Sequence, residues 1–196
     1  MFNDISMLVM KLKKYFFYWL FSMLVLTTLY AVFGPKTKRI NLRSVNFHST
    51  ESAELYFKNM RSFSYDRIVD DKANYILYRI KSREKDTTLV GLNFLIVNNW
   101  LQDENYILAE FHPYSFIDGG LFSKNKNRCD TLMLDGSDAE AHFIFAAHFF
   151  EQLTAGSKFY YRNQQDKLVE LGISEKNRKS LSKTLSDYFR LVGKLR

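Results

Sequence analysis

The residues of this chain that could carry chemistry are four histidines, His48, His112, His142 and His148, and a single cysteine, Cys129. The tightest grouping is H-P-Y-S-F-I-D-G-G, in which Ser115 lies between His112 and Asp118. Nucleophile, base and orienting acid are all present there, so the loop from His112 to Asp118 is the candidate for a hydrolytic site. A working triad is set by three-dimensional geometry, however, not by closeness in sequence. Pro113 and Gly119-Gly120 are turn-formers, and the loop reads better as structural than as catalytic.

The other histidines give little for a metal. His142 and His148 lie six residues apart, roughly 240° around a helix, so they cannot converge on one ion. Asp138 with His142, or His148 with Glu151, could each present two ligands on one helical face. Zinc takes three or four, and no cysteine or histidine cluster is near enough in sequence to complete a set. Partly buried histidines hydrogen-bonded at a helix edge are the simpler reading. The motifs for nucleotides, flavins, zinc proteases and thiol redox chemistry (G-x-x-x-x-G-K-[ST], G-x-G-x-x-G, H-E-x-x-H, C-x-x-C) are absent, as is the G-x-S-x-G elbow. No catalytic residue, cofactor or metal is assigned, and the chain reads as a non-enzymatic protein.

The stretch that organises the rest is YFFYWLFSMLVLTTLYAVFG, from Tyr15 to Gly34, which carries no charge. A helix of that length covers roughly 30 Å, the hydrocarbon thickness of a bilayer. Lys13 and Lys14 flank it on one side, Pro35 and Lys36 on the other. Tyr15, Tyr18, Trp19 and Tyr30 suit the headgroup level near its two ends. Only Ser22, Thr27 and Thr28 interrupt its apolar surface, too few for the polar stripe of a core helix. Phe33 near the end of the run does not suit a signal-peptidase site. The expectation is a retained transmembrane helix over 15–34, preceded by a cytoplasmic tail over 1–14. Basic residues are nearly balanced across it, with Lys11, Lys13 and Lys14 before and Lys36, Lys38, Arg39 and Arg43 after. Long following domains translocate largely regardless of charge, so the body is placed outside the cytoplasm. The abundance of Lys, Asn, Ile, Phe and Tyr fits an AT-rich bacterial genome, which makes the membrane an inner membrane.

Of the 28 basic and 21 acidic residues, the tail and span hold three and one, leaving the body near +5. That is mildly basic, and no aromatic-and-basic interleaving of a nucleic-acid module appears. One cysteine excludes an internal disulfide. Residues 35–196 have the length of one domain.

The pattern along this body predicts an α+β domain: a mainly antiparallel sheet packed with two or three helices. A first strand is expected between 36 and 49, from Ile40, Leu42, Val45 and Phe47. A helix over about 51–60, capped by Ser49 or Thr50, follows. Runs at 63–69, 75–81, 88–98 and 106–111, joined by short polar turns, describe a four-stranded meander. Residues 113–127 read as irregular and 131–134 as a short strand. Ser137 and Glu140 match a capping box, and the AHFIFAAHFFEQL that follows is apolar all round, hence a buried helix ending at Gly156. A strand over 157–162 and a last helix from the Ser174 cap to about Val192 complete the chain. In that helix Leu181, Leu185, Tyr188 and Val192 form one apolar stripe. Its other face sets Lys176, Arg178, Lys179, Lys183 and Arg190 against Glu175 and Asp187.

The functional expectation is a single-pass envelope protein whose body binds or assembles with a protein partner. Two alternatives are a tethered hydrolase using the His112–Asp118 loop, and a cytoplasm-facing domain that docks on anionic lipid through its basic last helix.

Overall fold

The computed structural model describes residues 15–28, 40, 45–86, 90–112, 120–125, 128–163 and 165–195. The chain divides into two compact units, Met1–Thr37 and Lys38–Arg196.

In the first unit, residues 15–28 form a helix, α1, whose side chains are all exposed. Thr27 and Thr28 return their hydroxyls to the carbonyls of Met23, Leu24 and Val25, which is how hydroxyl side chains are satisfied on an apolar helix. Residues 29–34 of the expected span lie outside the described residues. Among the described residues, no helix is long and apolar enough to cross a membrane.

The second unit is α+β, with two antiparallel four-stranded sheets and three α-helices. The first sheet is the expected meander: β1 (Tyr65–Asp70), β2 (Tyr75–Ile80), β3 (Gly91–Asn99) and β4 (Glu104–His112), hydrogen-bonded in that order. The β1–β2 and β3–β4 hairpins each place an Asn or Asp with positive φ in the turn, Asn74 at 59° and Asp103 at 52°. These are the non-glycine residues that enter that region most readily. Register sets Leu92, Phe94, Ile96 and Tyr78 on one face with Ile107 and Phe111, and all are buried.

The second sheet has the order β6-β5-β7-β8, with β5 (Leu121–Asn125), β6 (Arg128–Leu132), β7 (Lys158–Arg162) and β8 (Leu168–Glu170). Two of its strands depart from expectation. β5 falls within the stretch read as irregular. It alternates buried Leu121 and Ser123 with partly exposed Phe122 and exposed Lys124, but the flanking glycines and lysines disguise it. β8 is three exposed residues long and pairs only with β7. The expected strand at 131–134 begins at Arg128 and stops at Leu132.

Of the strand expected between 36 and 49, residues 36–39 and 41–44 lie outside the described ones; among the described residues Ile40 bridges Leu195 and His48 bridges Glu104. Helix α2 (Glu51–Tyr56) is capped by Thr50, whose hydroxyl accepts from the Ala53 N–H. It passes directly into a π-turn, Phe57–Arg61, and a 3₁₀ turn, Ser62–Ser64.

Helix α3 (Ala139–Thr154) is capped by Asp138, not Ser137: the Asp138 carboxylate accepts from the Ala141 N–H at 2.7 Å. Both residue types cap well, so the start shifts by one residue. α3 is buried on most of its circumference, as its composition requires, and leaves one exposed stripe of Glu140, Ile144 and His148. Phe149 stacks on Phe159 of β7 with ring centroids 4.4 Å apart and meets Phe94 of β3 at 5.4 Å, so one ring joins both sheets. Helix α4 (Glu175–Leu191) starts at the Ser174 cap and buries the whole expected stripe.

Candidate anion-binding cleft

The cationic residues of α4 repeat at spacings of three and four, so Lys179, Lys183 and Arg190 share one side of the helix with Ser182 and Ser186. Against this side lies the π-turn. An i→i+5 turn carries one residue more than the α-helical repeat and is a recurrent way to redirect a side chain. Here Phe57 enters the core while Arg61 points at α4. Together with Arg178 these residues line a cleft of about 490 Å³.

At its base, Asp187 is the one carboxylate among the lining residues. Its side chain is 2 % exposed, and it accepts from Arg61 Nε at 2.7 Å and from the Tyr65 hydroxyl at 2.8 Å. The hydrogen bond to Asp187 holds the Arg61 guanidinium above its ordinary range. Burial first, and then the Asp187 charge, raise the Tyr65 phenol. Asp187 was expected on the solvated face as a counter-charge to the lysines. It is instead consumed inside the protein, and the outer face of α4 is more basic than its sequence suggests.

Three of the other four cations are held by neutral oxygens. Arg178 donates to the carbonyls of Leu153 at 3.0 Å and Ser157 at 2.7 Å, at the C-terminal end of α3, where a cation meets the negative pole of the helix. Lys183 Nζ donates to Ser64 Oγ at 2.7 Å. Arg190 lies over the Tyr56 ring, 5.5 Å from its centroid, and donates to the Tyr56 hydroxyl at 3.2 Å. Lys179 faces only Glu175, at 3.7 Å, both well exposed. A lysine has three donors and an arginine five, so Arg178, Lys183 and Arg190 keep N–H bonds to offer while their partners hold them in place. Five cations around one buried, committed carboxylate are an arrangement that can hold an anion. Among the described lining residues there is no histidine and no carboxylate besides Asp187; what they offer is positive charge and hydrogen-bond donors.

The histidines are scattered. His48 Nε2 lies 3.5 Å from Glu104 Oε1 at an exposed position. His112 ends β4, and Ser115 and Asp118 lie outside the described residues. His148 is exposed on α3. Asp138, the possible metal partner of His142, is occupied as a helix cap. Among the described residues, no group of three His, Cys, Asp or Glu side chains could hold a metal ion.

His142 does reach a second cavity, of about 400 Å³, with Ser137, Glu110 and the apolar Leu77, Leu95 and Leu108. A serine, a histidine and an acid meet there, but they are not wired as a triad. The Ala109 N–H donates to His142 Nδ1 at 3.1 Å, which leaves the proton on Nε2 and makes that nitrogen a donor. Glu110 is held by Arg79 through both carboxylate oxygens. Burial lowers the His142 pKa and keeps the ring neutral. The sequence holds no signal for this grouping, whose members come from three elements.

No family model, curated protein or solved structure matches this chain. The functional reading therefore stands on the geometry alone.

Proposed function

We propose that this chain is a membrane-tethered, non-enzymatic binding module whose folded unit holds an anionic partner in the cleft on α4. The observation that carries this reading is the concentration of Arg61, Arg178, Lys179, Lys183 and Arg190 around one cleft whose only carboxylate is already paired. A unit charge 4 Å from another is worth about 4 kcal/mol near a protein surface, so a group touching two or three of these cations gains substantially before desolvation is charged against it. The tether is supported by the uncharged run from 15 to 34 and by the helical, fully exposed residues 15–28. In this reading the tail over 1–14 is cytoplasmic and the body lies outside a bacterial inner membrane.

The test is calorimetric titration of the full chain, in detergent, with inorganic tripolyphosphate as the probe. Binding should weaken as salt rises, because the contacts are ionic. The double reversal Lys179→Glu with Arg190→Glu should weaken it at least tenfold, about 1.4 kcal/mol. Equal affinity in the parent and the doubly reversed chain would sink the cleft as a binding site.

A further inference from the structure

Next to the basic cleft the segment from Leu55 to Phe63 exposes a ridge of large apolar side chains. Leu55, Met60 and Phe63 are 51 %, 65 % and 74 % exposed, and Tyr56 is 40 % exposed. Single exposed apolar residues are ordinary, whereas several on one short segment mark a contact surface. The ridge and the cleft are physically joined. Tyr56 carries Arg190 on its ring, Arg61 leaves the same π-turn that presents Met60, and Lys183 bonds Ser64 beside Phe63.

We propose that this combined face docks on the surface of an anionic bilayer, with Leu55, Met60 and Phe63 entering the headgroup–acyl boundary and the cations of α4 holding lipid phosphates. The inference rests on the anion-binding reading of the cleft and adds the apolar half that a free anion would not use. Charge complementarity selects the occupant. Aliphatic and aromatic side chains backed by lysine and arginine are the composition of interfacial segments, and lysine and arginine close to an anionic membrane are drawn to it. Lys58, between Leu55 and Met60, adds a further exposed ammonium, paired with Glu54 at 3.2 Å. A chain already tethered to the bilayer would meet lipid at high effective concentration, so a weak surface contact suffices to hold the face down.

The test uses the full chain with Cys129→Ser and Met60→Cys, labelled at residue 60 with an environment-sensitive nitrobenzoxadiazole dye. The chain has no other cysteine, and the native Cys129, which is exposed, serves as the control label position. In vesicles about one-third phosphatidylglycerol, the dye at 60 should shift to the blue and be quenched by doxyl-labelled lipid. In phosphatidylcholine vesicles, and in the Lys179→Glu, Arg190→Glu background, both effects should disappear, while the dye at Cys129 stays water-like throughout. A dye at 60 that remains water-like on anionic vesicles overturns the docking. So does a blue shift without lipid quenching, the mark of burial against protein or a second copy. Tripolyphosphate binding in the same preparation separates the two levels: docking lost with binding kept refutes only the membrane surface, and both lost refutes the cleft as well.

Discussion

Tyr65 and Asp187 lie 122 residues apart in sequence and share a 2.8 Å hydrogen bond inside the protein. The same carboxylate accepts from Arg61 at 2.7 Å, so one acid ties the π-turn, the first strand and the last helix together. Replacing Asp187 by alanine leaves a cation and a hydroxyl without their partner. That should cost about 3–5 kcal/mol, read as the shift in urea midpoint. Tyr65→Phe removes one charge-assisted bond and should cost about 1.5–3 kcal/mol. The two costs should not add in the double mutant, because each removes the same bond. Asp187→Asn should separate stability from binding: it lowers stability but releases the Arg61 charge, so tripolyphosphate should bind more tightly.

His142 gives the domain an acid-sensitive point. Burial lowers its folded-state pKa below the ordinary 6.5, with Asp138 pulling the other way more weakly. A base with a depressed folded pKa contributes stability that is complete above 6.5 and is lost as pH falls through the folded value. Protonation also removes the acceptor that Nδ1 offers to the Ala109 N–H. The urea midpoint should therefore fall between pH 7 and pH 5, and His142→Gln should flatten that part of the profile. An unchanged profile in the mutant would assign the acid sensitivity elsewhere.

Gly120 and Gly156 should answer alanine differently. Both have positive φ, 69° and 78°. A Cβ on Gly120 would lie 2.5 Å from Met133 Sδ and 3.1 Å from the Leu132 carbonyl oxygen, whereas one on Gly156 would meet nothing within 4 Å. Gly156→Ala should cost about 1 kcal/mol, the conformational term alone. Gly120→Ala should cost about 2–4 kcal/mol, because crowding adds to it. Thermal melts of the two variants decide this, and equal losses would mean that Met133 simply swings away.

Phe149 is the ring shared by both sheets. Phe149→Ala should cost about 3–5 kcal/mol and should lower the cooperativity of unfolding, since the ring that touches Phe94 of the first sheet and Phe159 of the second is removed. In a Trp19→Phe background tryptophan fluorescence follows the β3–β4 hairpin through Trp100, and far-ultraviolet circular dichroism follows the whole; in the Phe149 variant the two transitions should separate.

The four-stranded meander was readable in the sequence because its turns are polar and its strands long. The N-cap of α4 was readable because Ser174 precedes a clear apolar stripe. The missing pieces have physical causes. β5 is five residues beside Gly120, and its inward positions are filled by Leu121 and a serine, so alternation is faint. β8 has no buried residue at all. A π-turn leaves no compositional trace, since only the hydrogen-bond pattern distinguishes Phe57–Arg61 from ordinary helix. Asp187 was misassigned because local charge pattern groups it with the lysines of α4, and only the fold brings Arg61 and Tyr65 to it. The cleft was thus half legible: its cations stood in the sequence, but its concavity and the loss of its counter-charge did not.

Ile40 pairs with Leu195, so the folded body is entered and left through one doorway. Force applied at Ile40 and Leu195 would load this bridge, like the first tooth of a zipper, before it reaches the aromatic interior. Force-extension traces on the body should accordingly begin with a small early release before the main rupture.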